Sequence, residues 1–160
     1  MGGSVSKMME NTAFDSGILT ETLAVIADNR ALVRRWNQAI WQADHQTFER
    51  LLAPDYRFHG VGDRDAVRHF AEYLRTVFTD IEVTIDEQIE SEDRVVTRWG
   101  IYATHRGELW GIPATGRRVR LSGITINRLA AGQIAEEWCQ ADWFGLLQQI
   151  SGFLTGPEYA

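Results

Sequence analysis

Seven side chains of this sequence could handle protons at neutral pH: His45, His59, His69, His105, Glu137, Cys139 and Asp142. Imidazole titrates near neutrality, so a histidine held beside a reacting group can take or return a proton. His59 stands out because it lies at the end of a predicted strand. It reads either as a general base or as a structural histidine bonded to backbone. His105 ends a later strand and reads as structural, at a turn or pocket rim, while His45 and His69 read as solvated. Glu137 and Cys139 lie two residues apart, so strand alternation puts them on one face. Glu137 is thereby a candidate carboxylate, and its plain reading is an exposed strand glutamate. Asp142 suits proton handling, and it equally suits the N-cap of a helix that opens at Trp143.

Other chemistries lack their signatures. The histidines show no His-x-His or His-Glu-x-x-His spacing, so no metal motif is present. A serine nucleophile would need a Gly-x-Ser-x-Gly elbow, which does not occur. Gly107, Gly111 and Gly116 fall in a hairpin rather than a strand-to-helix turn, so they do not form a phosphate loop. Cys139 has no histidine neighbour in sequence and reads as a small pocket-lining hydrophobe, not a nucleophile. Trp36, Trp41, Trp99, Trp110, Trp138 and Trp143 are many for this length, and some must be core. Trp41 and Trp99 are the candidates for a pocket wall that stacks on a flat aromatic or polycyclic ligand.

The elements that must position these groups change period halfway along the chain. Leu23, Ile26, Val33, Trp36 and Ile40 recur at helical intervals, predicting one long amphipathic helix over 20–43. A short helix follows over 46–52, ended by Pro54. Residues 55–59 read as a strand and Gly60 to Asp63 as a turn, with Asp63 capping a third helix through Val67, Phe70, Leu74, Val77 and Phe78. From Ile81 the apolar residues alternate, which predicts strands at 81–86, 95–105, 119–129 and 134–141. Pro113 to Gly116 reads as a loop, and a short final helix runs through Leu147 to Ile150. Helices first and an antiparallel meander afterwards predict an α+β fold with helices on one sheet face. Such a sheet, strongly twisted and bent, forms a cone whose open side is a ligand pocket.

At 160 residues the chain suits one domain: a polar leader over 1–18, the domain over 19–151 and a tail over 152–160. A net charge of −6 with scattered Lys and Arg argues against nucleic-acid binding. A single cysteine permits no intrachain disulfide, and no apolar run is long enough to cross a bilayer. These features predict a soluble, cytoplasmic protein.

Several segments carry a resemblance. Ala31-Leu-Val-Arg-Arg-Trp36, Leu52-Ala-Pro-Asp-Tyr56 with His59 close behind, and Thr104-His-Arg-Gly-Glu108 before Gly111-Ile-Pro-Ala-Thr-Gly-Arg117 look like SnoaL-like polyketide cyclases. So do Ser122-Gly123-Ile124 and Gly132-Gln-Ile134 through Trp138. The resemblance runs over about 29–150. It implies the nuclear transport factor 2-like cone fold, a curved antiparallel sheet covered by three N-terminal helices, and a homodimer through the sheet. It also implies an intramolecular aldol reaction on a hydrophobic small molecule, without metal or cofactor. The family's carboxylate follows the tryptophan of the last strand, where this chain has Cys139 after Trp138. The family's histidine on the preceding strand falls near Thr125.

On this basis His59, Asp142 and Glu137 are the expected catalytic residues. Trp41, Trp99, Thr125, Asn127 and Cys139 are the expected substrate-binding residues. The resemblance extends to isomerases, hydrolases and hydroxylases. A hydrolase of the limonene-epoxide type would need an Asp-Arg-Asp relay, for which Arg98 and Asp142 are available pieces. Two other functions stay open: a non-catalytic small-molecule binder that keeps the pocket without the carboxylate, and a structural dimerisation module.

Overall fold

The computed structural model describes residues 29–152. The leader, residues 20–28 of the first predicted helix and the tail beyond Gly152 lie outside the described residues. Helix α1 covers 29–42 and turns Leu32, Val33, Trp36 and Ile40 inward. Helix α2 (His45–Leu51) follows at once, capped by Asp44, whose side chain accepts from the Thr47 N–H at 3.2 Å. Strand β1 (Leu52–Phe58) leaves its last residue directly. Pro54 therefore lies inside β1 and does not end α2. It is tolerated because β1 is an edge strand, where a missing N–H costs no ladder bond.

Asp63 caps α3 (Arg64–Val77), accepting from the Ala66 N–H at 3.0 Å, and Val67, Ala71, Leu74 and Val77 are its buried stripe. Strand β2 (Phe78–Ser91) starts on the next residue, so Phe78 belongs to the sheet and not to the helix face. Strands β3 (Arg94–His105), β4 (Arg118–Ala130) and β5 (Gln133–Ala141) follow, and α4 (Trp143–Ser151) closes the described chain. Between β3 and β4, Leu109 and Ile112 form an isolated bridge around a tight turn. The segment over 108–112 pairs with itself there instead of extending β3.

The strand order is β1-β5-β4-β3-β2. Strands β2 to β5 form an antiparallel meander, but β1 pairs with β5 in parallel, joining Phe58 to Glu137. The sheet is therefore mixed, not wholly antiparallel. Alternating burial marks a strand without marking its direction, so the sequence pattern could not reveal this. Register shifts interrupt the β2–β3 and β4–β5 pairings, and such bulges bend a strand and add twist. One sheet face carries Val95, Ile101, Ala103, Val119 and Leu121 into a core completed by Trp36, Phe48, Leu74 and Leu146 from the helices. No helix among the described residues is long and apolar enough to cross a membrane.

Candidate active site

Glu136 and Glu137 are neighbours on β5, and alternation sends them to opposite faces of the sheet. Glu136 meets His59 Nε2 at 3.0 Å and Arg128 Nε at 2.7 Å. Those hydrogen bonds, led by His59, hold its carboxyl below the usual range. Glu137 points into the core and is only 4% exposed. Burial pushes its carboxyl up to about 7, against the opposing pull of hydrogen bonds from Tyr56, Trp36 and Asn127. The expectation of an exposed strand glutamate is thus corrected. The partners that make its burial tolerable come from elements distant in sequence.

Those partners all converge on Oε2. Trp36 Nε1 on α1 donates at 2.6 Å, Tyr56 Oη on β1 at 2.9 Å and Asn127 Nδ2 on β4 at 3.2 Å. Trp36 and Tyr56 are buried aromatics whose polar ends need partners, and a carboxylate between them meets that need. Burial and the nearby Glu137 push the Tyr56 phenol well above its ordinary value, so it stays protonated and donates.

Glu137 borders a cavity of about 210 Å³. Its walls are mainly apolar: Ile40 and Trp41 from α1, Phe58 at the end of β1 and Val61 in the turn after it, Phe70 and Leu74 from α3, and Trp99 from β3. Trp143 on α4 completes the wall. The few polar groups are Asn37, His59, Thr125, Glu137, Cys139 and Gln140, a greasy site with a sparse set of oriented polar atoms. Trp41 and Trp99 pack against each other with ring centroids 5.7 Å apart, and the Trp99 indole N–H donates to Thr125 Oγ1 at 2.8 Å. Gly123, opposite Trp99 in the β3–β4 register, leaves room for that indole: a Cβ there would come within 2.6 Å of the ring.

The structure brings Trp41, Trp99, Thr125, Cys139 and Glu137 to one cavity. Asn127 lies just behind it, fully buried and bonded to Glu137, rather than in the lining. His59 borders the cavity, but its ring lies flat on Trp138, at 4.5 Å and 7°, and its Nε2 is engaged by Glu136. Trp138 and Glu136 project from the face opposite Glu137, so the imidazole and the buried carboxyl sit on opposite sides of β5. Asp142 is exposed, lies outside this lining and accepts from the Gly145 N–H at 2.8 Å as the cap of α4. The structure therefore does not assemble His59, Asp142 and Glu137 into one group. Burial also pushes the Cys139 thiol up to about 11, so it is neutral here. His105 is buried, and its Nδ1 engages Thr115 Oγ1 at 3.0 Å.

Trp36 and Tyr56 are the site residues that sequence reasoning missed. They stand 101 and 81 residues from Glu137, so no local spacing links them. The legible signal was narrower: a carboxylate sharing the strand face of Cys139. Among the described residues, no three His, Cys, Asp or Glu side chains group so as to hold a metal ion.

Comparison with known proteins matches this architecture. The chain is 33% identical over 75 residues to aklanonic acid methyl ester cyclase DnrD of Streptomyces peucetius. That stretch is 45% of this chain and 52% of the relative, so it spans about half the relative's length. TsrD from Streptomyces laurentii superposes with a TM-score of 0.71 at 26% identity, over 78% of this chain and 95% of that one. AclR from Streptomyces galilaeus, a proposed hydroxylase, gives 0.72 at 26% identity over 83% and 86%. IdmH from Streptomyces antibioticus, a proposed polyketide cyclase, gives 0.69 at 25% identity over 77% and 98%. The family model for SnoaL-like polyketide cyclases matches residues 31–150, well over half of the sequence, and the chain belongs to that family.

Proposed function

We propose that this protein is a cofactor-independent acid/base enzyme of polyketide-cyclase type, with Glu137 as the group that moves the proton. One observation carries the reading: a wholly buried carboxyl, raised to about 7, borders an apolar cavity with one oxygen anchored. A group poised near the working pH is the best compromise between being able to take a proton and being able to return it. In an aldol closure, ionised Glu137 removes the proton from a carbon beside a carbonyl. The resulting enolate carbon attacks a second carbonyl of the same molecule. The new alkoxide then receives a proton from the carboxylic acid just formed, which regenerates the carboxylate. Trp41 and Trp99 would hold a flat ring system against this group.

Aklanonic acid methyl ester, the compound in the name of DnrD, is the first substrate to test. Ring closure is followed by chromatography and mass spectrometry. Because the ionised form is the base, kcat/KM is expected to rise with pH through about 7. Glu137→Gln should lower it by roughly 100-fold or more. Undiminished turnover by that variant would remove Glu137 from the mechanism.

A binding-only role is the second reading, and Cys139 favours it. A neutral thiol stands where the resemblance expects a carboxylate. Tight binding of the ester by a wild-type protein that never closes the ring would support this alternative and sink the first.

A further inference from the structure

The hydrogen bonds to Glu137 are divided unequally between its two oxygens. Trp36, Tyr56 and Asn127 all donate to Oε2, and among the described residues none of these bonds reaches Oε1. A carboxyl oxygen offers about two lone-pair sites, so three donors already exceed the capacity of Oε2. As placed, all three donate to Oε2 and none accepts from it. An indole N–H only donates, and the Tyr56 phenol keeps its proton. A proton placed on Oε2 would displace a donor and leave it buried and unpaired.

We infer that Glu137 carries its exchangeable proton on Oε1, the oxygen left to the cavity, and that Trp36, Tyr56 and Asn127 are positioning residues that enforce this choice from behind. The inference rests on the proton-transfer reading above and names the atom that would act. It also defines what a ligand must present at that wall. The acid form offers a donor, which suits a carbonyl oxygen, and the ionised form offers a base, which suits an acidic C–H beside that carbonyl. The titratable groups that face Glu137 are Tyr56 on β1 and Cys139 on β5, both raised and so both neutral. Helix α1 and strand β4 bring only uncharged groups to this place: Trp36, Asn37, Thr125 and Asn127. No opposite charge therefore competes with the three donors.

Asn127 supplies the rival arrangement. Its Oδ1 is buried without a partner. If the amide were turned over, that oxygen could accept a proton from Oε2, and the cavity-facing Oε1 would be a bare carbonyl oxygen.

Infrared difference spectroscopy of the unliganded protein separates the two. The band of interest is the carboxylic C=O stretch that Glu137→Gln abolishes. With the proton on Oε1, the carbonyl is C=Oε2 under its donors, so Tyr56→Phe should move the band to higher frequency. Trp36→Phe should act in the same direction. Tyr56→Phe should also raise the pH midpoint of the band by about one unit, since a donor to the carboxylate is lost. A band that neither substitution moves, or no Glu137 band at pH 5, overturns the assignment. The measurement uses no substrate. Should the band behave as expected while Glu137→Gln keeps full turnover, the proton's location stands and the catalytic reading falls.

Discussion

Glu136 and Glu137 differ by one position on one strand, yet their carboxyls move in opposite directions. Glu136, half-buried and bonded to His59 and Arg128, is stabilised as an anion. Glu137, cut off from water, is stabilised as an acid even though three donors oppose the shift. Its raised value has a consequence for stability. Below about 4.5 the folded and unfolded states both hold the proton. Between there and about 7 the folded state holds it more tightly, so rising pH erodes stability until the folded group ionises. Glu137→Gln keeps an acceptor for the donors without the charge and should remove this slope. Relative to wild type it should gain on the order of 2 kcal/mol between pH 5 and pH 8. Urea unfolding of both proteins at the two pH values checks this, and an equal difference at both would contradict a high folded-state value. Tyr56 and Trp36 could not be picked out from the sequence for the same reason that Glu137 looked exposed. A polar residue is buried safely only where remote partners meet it, and those contacts are not local.

Among the elements, α4 shows how a carboxylate with two possible roles is put to use. Asp142 sits at the N-terminus of nine residues that bury Leu146 and Ile150 against the sheet and set Trp143 on the cavity wall. Its side chain accepts from the Gly145 N–H, one of the donors a helix start leaves open. Asp142→Ala should cost about 1 kcal/mol of stability, read as a lower midpoint in denaturant. Asp142→Asn keeps a capping oxygen and should retain both stability and turnover; a large loss of turnover from that change alone would return Asp142 to the chemistry. This element was legible in advance because a cap is local, lying three residues from the N–H it serves. The place of β1 was not. Its alternation reads the same in either direction, and only its pairing with β5 decides that it runs parallel and ends beside Glu137.

Across the whole molecule, the sheet face turned away from the cavity is not fully polar. Ile89, Val96, Ile126 and Trp138 stand opposite one another in register, one per strand from β2 to β5. Ile89 is 57% exposed, and Ile124 and Tyr102 on the same sheet are also exposed. Charges of both signs flank this row: Arg98 pairs with Asp86, and Arg128 with Glu136. A surface that is apolar at its centre and carries both signs at its margin can complement itself about a two-fold axis. We propose that a second copy of the chain covers it. Ile124→Lys and Ile89→Lys should shift the protein from dimer to monomer in sedimentation experiments. A wild-type protein that sediments as a monomer at every concentration would refute the proposal.

Period and caps are properties of neighbouring residues, so the sequence by itself determined the helical and meander segments among the described residues, the caps Asp63 and Asp142, and two of the cavity's aromatic residues, Trp41 and Trp99. Family-typical segments pointed to the same architecture, and the family match agrees. Tertiary structure alone decided which carboxylate meets the cavity. His59 follows Phe58, the partner of Glu137 in the parallel β1–β5 pair, and its backbone N–H donates to the Glu137 carbonyl at 2.8 Å, yet its ring falls on the other face. The physical reason is that proton chemistry depends on desolvation and on donors brought together from α1, β1 and β4. Neither exists until those elements pack around one side chain.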